Sequence, residues 1–262
     1  MTQAERDATY REIILASLRT SASYLPKMGG GDPVDLDGFT ALYGADPLYH
    51  WLGLDSPLMF AAHKAAGGMT SLYRQLGIGS ERLVRAVLRD ELDLTDEQVR
   101  WSYEYPSGGQ VRLLTLDGRV ELDVVKDRTQ RDRLAAWIET QKRAAKIKVP
   151  LRGVVLEVRQ GYKSADSKRQ NADLLSSTQA ISHGYLPVLT IMSTQMNSTV
   201  RLRYTTGRWA VLTGTTINDP LTSTFAFMKD TVGYDLAGFF ERNADDLRAG
   251  VNDILTQLLE PK

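Results

Sequence analysis

The stretch RGVVLEVRQGYK, residues 152–163, is the most strand-like in the chain, and its flanks leave few folds open. Before it, residues 128–147 place Leu134, Trp137 and Ile138 at helical spacing, and Pro150 closes that segment. After it, Ser167 is a good N-cap for a helix through KRQNADLLSSTQAIS, and Gly184 is a good stop. YLPVLTIMS then reads as a further strand. Helix, strand, helix, strand in succession calls for a sheet with helices laid against it.

The rest of the chain extends that pattern. Tyr10, Ile13, Ile14 and Leu18 mark one helical face, and KMGGGDPVDLDG (27–38) is a Gly/Pro/Asp loop. SPLMFAAHKAAGGM reads as a short helix ended by Gly67 and Gly68. Ser80 caps another, in which Leu83, Val84, Val87 and Leu88 line up. After YPSGG the period changes: QVRLLTLDGRVELDVV gives two strands meeting in a hairpin at Asp117-Gly118. TVRLRYTTGRWAVLTG gives two more, joined at Gly207-Arg208. The end returns to helix, with Asn243 as cap and Leu247, Val251, Ile254, Leu255 and Leu258 on one face. The expected architecture is α/β (α+β), a mixed central sheet flanked by helices. A mainly helical N-terminal lobe is expected over 1–105 and the sheet domain over 106–262.

Composition bounds the function. With 262 residues, 42% of them hydrophobic, the chain can build a substantial core. Lys plus Arg equals Asp plus Glu at 32 each, so any nucleic-acid affinity must come from local clustering of charge. Cysteine is absent, which excludes disulfides, thiolate metal sites and a Cys nucleophile. The opening MTQAERDATYREIILASLR has acids where a signal peptide needs a basic segment and an apolar run. No apolar stretch reaches transmembrane length, so a soluble, cytoplasmic protein is the expectation. His50, His63 and His183 share no short spacing, and GGG at 29–31 lacks the Lys-Ser/Thr of a phosphate loop.

The chemistry concentrates where the strand gives way to the helix. Residues two apart on a strand share a face, so Glu157, Arg159, Gly161 and Lys163 point one way and Val154, Leu156 and Val158 the other. The plain reading of such a strand is one core face and one solvated face. A second reading comes from the residues at and after its end. Lys163 ends the strand, and the next helix opens with Lys168, Arg169, Gln170 and Asn171, where free N–H groups and the helix dipole favour phosphate. Arg, Gln and Asn also reach base edges in the major groove. Asp173 stands about a turn and a half into that helix. A lysine beside carboxylates suits a phosphodiesterase in which the acids hold Mg²⁺ and the lysine orients or activates water.

This segment resembles the PD-(D/E)XK nuclease core over roughly residues 110–215. Among its members it is most similar to type II restriction endonucleases that read sites containing CCGG or CCNGG. The resemblance makes Lys163 the motif lysine. Gly161 stands where most of the superfamily has Asp or Glu, so Asp173 is taken as the second acid, displaced onto the helix. Asp166, Lys168 and Arg169 fall near the guanine-reading cluster of that subgroup, at a spacing that is not identical. The first acid is expected on the preceding strand, where Asp123 is the first choice. Asp117 is a second choice, since a hairpin turn already accounts for it. Glu157 is another, although six residues of strand separate it from Lys163 by roughly 20 Å.

The resemblance implies a Mg²⁺-dependent, sequence-specific double-strand DNA endonuclease that works as a homodimer on a palindromic site. Lys163, Asp123 and Asp173 would be catalytic, the two acids holding metal, with Asp166, Lys168, Arg169, Gln170 and Asn171 on the DNA. The bases of 126–148 (Lys126, Arg128, Arg131, Arg133, Lys142, Arg143, Lys146, Lys148) suit a DNA backbone, as do Arg201, Arg203 and Tyr204. The alternatives are a repair or nicking nuclease of the same core, a DNA-binding module with a decayed site, and an α/β domain with no nucleic-acid role.

Overall fold

The computed structural model of the protein describes residues 2–28, 31–107, 110–161 and 167–259; for 105–107, 112 and 167–172 it describes the backbone alone. The chain opens with helices α1 (Gln3–Arg19), α2 (Leu36–Gly44), α3 (Pro47–Trp51) and α4 (Pro57–Glu91). Strands β1 (Trp101–Ser107), β2 (Gln110–Leu116) and β3 (Gly118–Glu121) follow, then a 3-10 turn at Leu122–Val124 and α5 (Arg128–Ala144). Next come β4 (Gly153–Arg159), α6 (Ser167–Ser182), β5 (Tyr185–Ile191), α7 (Ser198–Thr206) and β6 (Ala210–Leu212). The chain closes with α8 (Thr224–Ala226), a π turn at Phe227–Val232, α9 (Leu236–Arg242) and α10 (Ala244–Leu259). Among the described residues no helix is long and apolar enough to cross a membrane.

The chain forms two compact units, Met1–Gly79 with Arg242–Lys262, and Ser80–Glu241. The C-terminal helix therefore groups with the N-terminal helices, and the boundary falls at Gly79 where the sequence suggests residue 105. In the first unit, Thr2 and Glu5 form a capping box on α1, with the Glu5 amide donating to Thr2 Oγ1 at 3.3 Å and the Thr2 amide to Glu5 Oε2 at 2.7 Å. Arg242 grips both Asp7 oxygens, at 2.8 and 3.1 Å, and that hydrogen bonding holds the Asp7 carboxyl below its usual range. Gly67 and Gly68 do not end a helix; α4 runs through them. A Cβ would lie 2.0 Å from the Tyr24 hydroxyl at Gly67 and 2.7 Å from Leu258 at Gly68. These glycines serve close packing.

The second unit holds the sheet, in the order β3-β4-β5-β6, with β3 antiparallel to β4 and the others parallel. The expected mixed sheet flanked by helices is what the structure shows. Leu83, Val84, Val87 and Leu88 of α4 and Leu134, Trp137 and Ile138 of α5 are buried as their spacing predicts. Gly184 adopts φ +80° just after α6, as a helix stop requires.

Three expectations change. Asp117-Gly118 is not a hairpin turn: β2 pairs with β1, β3 pairs with β4, and Gly118 is not among the residues with positive φ. A type I′ turn needs that φ; here the chain crosses between two sheets instead. TVRLRYTT is not a strand but α7, capped by Asn197 through the Thr199 amide at 2.8 Å, with Val200 and Tyr204 buried one turn apart. Asp123 is not on a strand, since β3 stops at Glu121 and Asp123 lies exposed in the 3-10 turn.

Candidate functional site

β4 is buried on both faces, and this changes the reading of its charges. Val154, Leu156 and Val158 are buried on one side, as alternation predicts. On the other, Val155 joins a core cluster with Ala180, Leu189, Val200, Tyr204 and Trp209. Glu157 lies on that same side at 5% exposure. A carboxylate this enclosed is stabilised by a partner or a cation, and the solvated-face reading does not hold.

Its neighbours come from other elements. The Glu157 carboxylate is ion-paired with the Arg159 guanidinium, two residues along the strand. The same guanidinium nitrogen lies 3.5 Å from Asp173 Oδ2 on α6. Asp173 is 6% exposed and accepts a hydrogen bond from the Tyr204 hydroxyl of α7. Glu157, Arg159, Asp173 and Tyr204 thus form one polar chain from β4 through α6 to α7.

The antiparallel register adds a second acid. Asp117 immediately precedes β3, whose first residue, Gly118, stands opposite Leu156 of β4. The Val158 amide donates to Asp117 Oδ2 at 2.7 Å, which fixes that carboxylate on β4. Arg85 of α4 donates from Nε to the Asp117 carbonyl at 2.8 Å and is ion-paired with Glu81 one turn earlier. Burial pushes the Asp117 carboxyl up to about 6, and the neighbouring Glu81 charge adds to the shift. The Val158 amide, Arg159 and Arg85 oppose it.

No family model matches the chain, and no curated protein or solved structure matches it either.

The sequence-predicted site residues are brought together only in part. Asp117, Glu157 and Asp173 gather around Arg159. Asp123 does not join them. Glu121 pairs with Gly153 at the start of β4, Asp123 lies beyond that pair, and Asp173 is held at Arg159 at the strand's other end. Lys163 and Asp166 lie outside the described residues. Lys168, Arg169, Gln170 and Asn171 fall in the opening turns of α6, with only their backbone described. The break at Gly161 has a steric reason: a Cβ there would sit 2.8 Å from Ser193 Oγ, after β5, leaving no room for an acid unless Ser193 shifts.

Arg159, Tyr204, Glu81 and Arg85 are the residues that sequence reasoning misses as part of this cluster. A signal for Arg159 was present, because Glu157-Val158-Arg159 has the acid-x-base spacing. Glu81 and Arg85 stand four apart on a helix, which looks like any surface pair. Tyr204 was hidden by the strand-like alternation of TVRLRYT.

Among the described residues no three acids or histidines gather as a metal cluster. Mg²⁺ asks for less: one or two carboxylates, with waters and substrate phosphate oxygens completing its shell. Asp117 and Glu157 carry hard oxygen donors of that kind, one held by the Val158 amide and the other on β4 beside Arg159. The raised Asp117 carboxyl marks a place where added positive charge is favourable. Asp173 fits less well, since Tyr204 engages it in addition to the Arg159 that pairs with Glu157 too.

Proposed function

We propose that the protein is a Mg²⁺-dependent, sequence-specific double-strand DNA endonuclease, as the PD-(D/E)XK resemblance implies, acting as a homodimer on a palindromic site. The observation that carries this reading is Asp117, held by the Val158 amide of β4, with Arg159 of the same strand acting on it and ion-paired with Glu157. They sit toward the carboxyl end of β4, the side on which parallel α/β sheets offer ligand sites. In this reading Asp117 takes the role expected of Asp123, and Glu157 the role expected of Asp173.

Asp117 and Glu157 would hold the Mg²⁺, which would supply Lewis-acid polarisation of the scissile phosphate. The Val158 amide and Arg85 keep Asp117 on the strand, so its carboxylate is aimed before substrate arrives. Arg159 stays protonated at any working pH, so it cannot take a proton from water. It holds Glu157 and Asp173 in place, and the water-activating role remains with Lys163. Lys168, Arg169, Gln170 and Asn171 contact bases and phosphates from the start of α6, joined by Asp166. Arg143, Lys146 and Lys148, all exposed, are suited to the DNA backbone.

A second reading is a DNA-binding module without cleavage. The observation favouring it is that Arg159 already pairs with both Glu157 and Asp173. One experiment separates the two. Sequenced phage DNA is digested with and without Mg²⁺ by wild type and by Lys163→Ala, and fragment ends are sequenced. Discrete Mg²⁺-dependent fragments that the variant fails to produce support the nuclease. Intact DNA from the wild type, under conditions where a gel shift shows binding, leaves the binding module.

A further inference from the structure

The buried face of α6 is unusual in what it is made of. Asp173, Ser176, Ser177 and Ala180 follow the i, i+3, i+4, i+7 spacing of one helical face, and all four are buried. Toward its opening, therefore, α6 meets the rest of the unit with polar groups. Asp173 meets Arg159 of β4 and Tyr204 of α7. Ser176 Oγ accepts from the Tyr103 hydroxyl of β1 at 3.2 Å. Tyr204 is 1% exposed and packs edge-on against Trp209, with ring centres 5.7 Å apart.

An apolar contact of this size would hold a helix at least as firmly, because buried ion pairs often contribute no more than well-packed hydrophobic residues. What the polar contact adds is direction. A hydrogen bond is satisfied at one distance and angle, so α6 is held in one setting along its axis and about it.

We propose that Tyr204 is a positioning residue: through Asp173 and Arg159 it sets the opening of α6 against the strand that carries Glu157, and so ties sequence reading to the catalytic acids. This rests on the nuclease reading for its catalytic half and on DNA reading by residues 168–171 for the other. Tyr204 itself touches no substrate. Its hydroxyl acts through Asp173, and the aromatic ring packs against Trp209.

The test uses the full chain and a duplex selected by the wild-type protein from a randomised library, beside the same duplex with one base pair changed. Tyr204→Phe keeps the ring and removes one hydroxyl; Asp173→Asn keeps an acceptor for that hydroxyl and removes the charge facing Arg159. Thermal melting establishes that each variant folds. In both, the binding preference for the selected duplex over the altered one is expected to fall about tenfold, with affinity for unrelated duplex unchanged. The kcat on the selected duplex is expected to fall by a similar factor, about tenfold, with KM little altered. A folded Tyr204→Phe that keeps wild-type discrimination overturns the proposal, whether or not the wild type cuts. Wild type that discriminates without cutting removes the nuclease reading alone, and loss of discrimination in the variants still supports the positioning role. Failure to select any duplex overturns both.

Discussion

The two faces of β4 are covered by different means. On one, Val154, Leu156 and Val158 are in the core, and Leu156 and Leu88 of α4 both lie within 3.6 Å of where a Cβ at Gly118 would stand. α5, with its buried stripe of Leu134, Trp137 and Ile138, also contacts β4. On the other face, Glu157 and Arg159 replace aliphatic residues, and α6 and α7 answer with Asp173 and Tyr204. Apolar packing tolerates small readjustments, because dispersion contacts have little angular preference. A buried ion pair does not, since losing one partner strands the other in a place that water cannot reach. One face of the strand therefore carries stability and the other carries placement.

Putting the same side chain on each face sharpens that contrast. Arg159→Met removes the shared partner of Glu157 and Asp173 and is expected to cost about 3 kcal/mol or more of unfolding free energy. Leu156→Met on the apolar face is expected to cost less than about 1.5 kcal/mol. Urea titrations of both at neutral pH measure the difference, and equal costs would erase the distinction between the faces.

Asp117 gives the next largest effect, with a sign set by its burial. Its folded carboxyl titrates at about 6 against an ordinary 3.8, so the folded chain holds that proton more tightly than the unfolded one. Below about pH 4 both forms are protonated. From there to about 6 the contribution of Asp117 falls as pH rises, and above 6 it is level. Asp117→Asn is therefore expected to be more stable than wild type at pH 7, by about 2 kcal/mol after allowing for the partial exposure of the carboxyl. The gain should shrink toward pH 4. Denaturation midpoints at the two pH values test this. A variant less stable than wild type at pH 7 would show that the carboxylate is a structural asset.

Much of the fold was legible in the sequence, and the site was legible in pieces. The run GVVLEV gave β4, and Leu134, Trp137 and Ile138 gave the buried stripe of α5, because in each case one period dominates. Gly67-Gly68 misled because a glycine pair signals a stop and close packing equally well, and only Tyr24 and Leu258 decide between them. Asp117-Gly118 misled more seriously. Read as a hairpin, it accounted for Asp117 without function; pairing of β3 with β4 removes that account and brings the acid to the Val158 amide of β4. Alternation leaves Glu157 and Arg159 open between a solvated face and a site, because it shows which residues share a side and not what covers it. The cover, α6 and α7, is a tertiary fact.

Asp123 supplies the smallest effect and a control. It is exposed in the 3-10 turn, at the far end of β4 from Asp173. Asp123→Ala is expected to change stability by less than about 0.5 kcal/mol, and DNA cleavage not at all. A loss of cleavage with the fold intact would restore it to the site and displace Asp117.

The central claim is that Asp117 and Glu157 together form the acid pair of a nuclease. Cleavage of the same phage DNA in Mg²⁺ by folded Asp117→Asn, Glu157→Gln and Asp123→Ala, beside wild type, tests it most directly. The account predicts discrete fragments from wild type and Asp123→Ala, and intact DNA from the other two. Wild-type fragments from Asp117→Asn or Glu157→Gln, or no cleavage by any of the four, would contradict it.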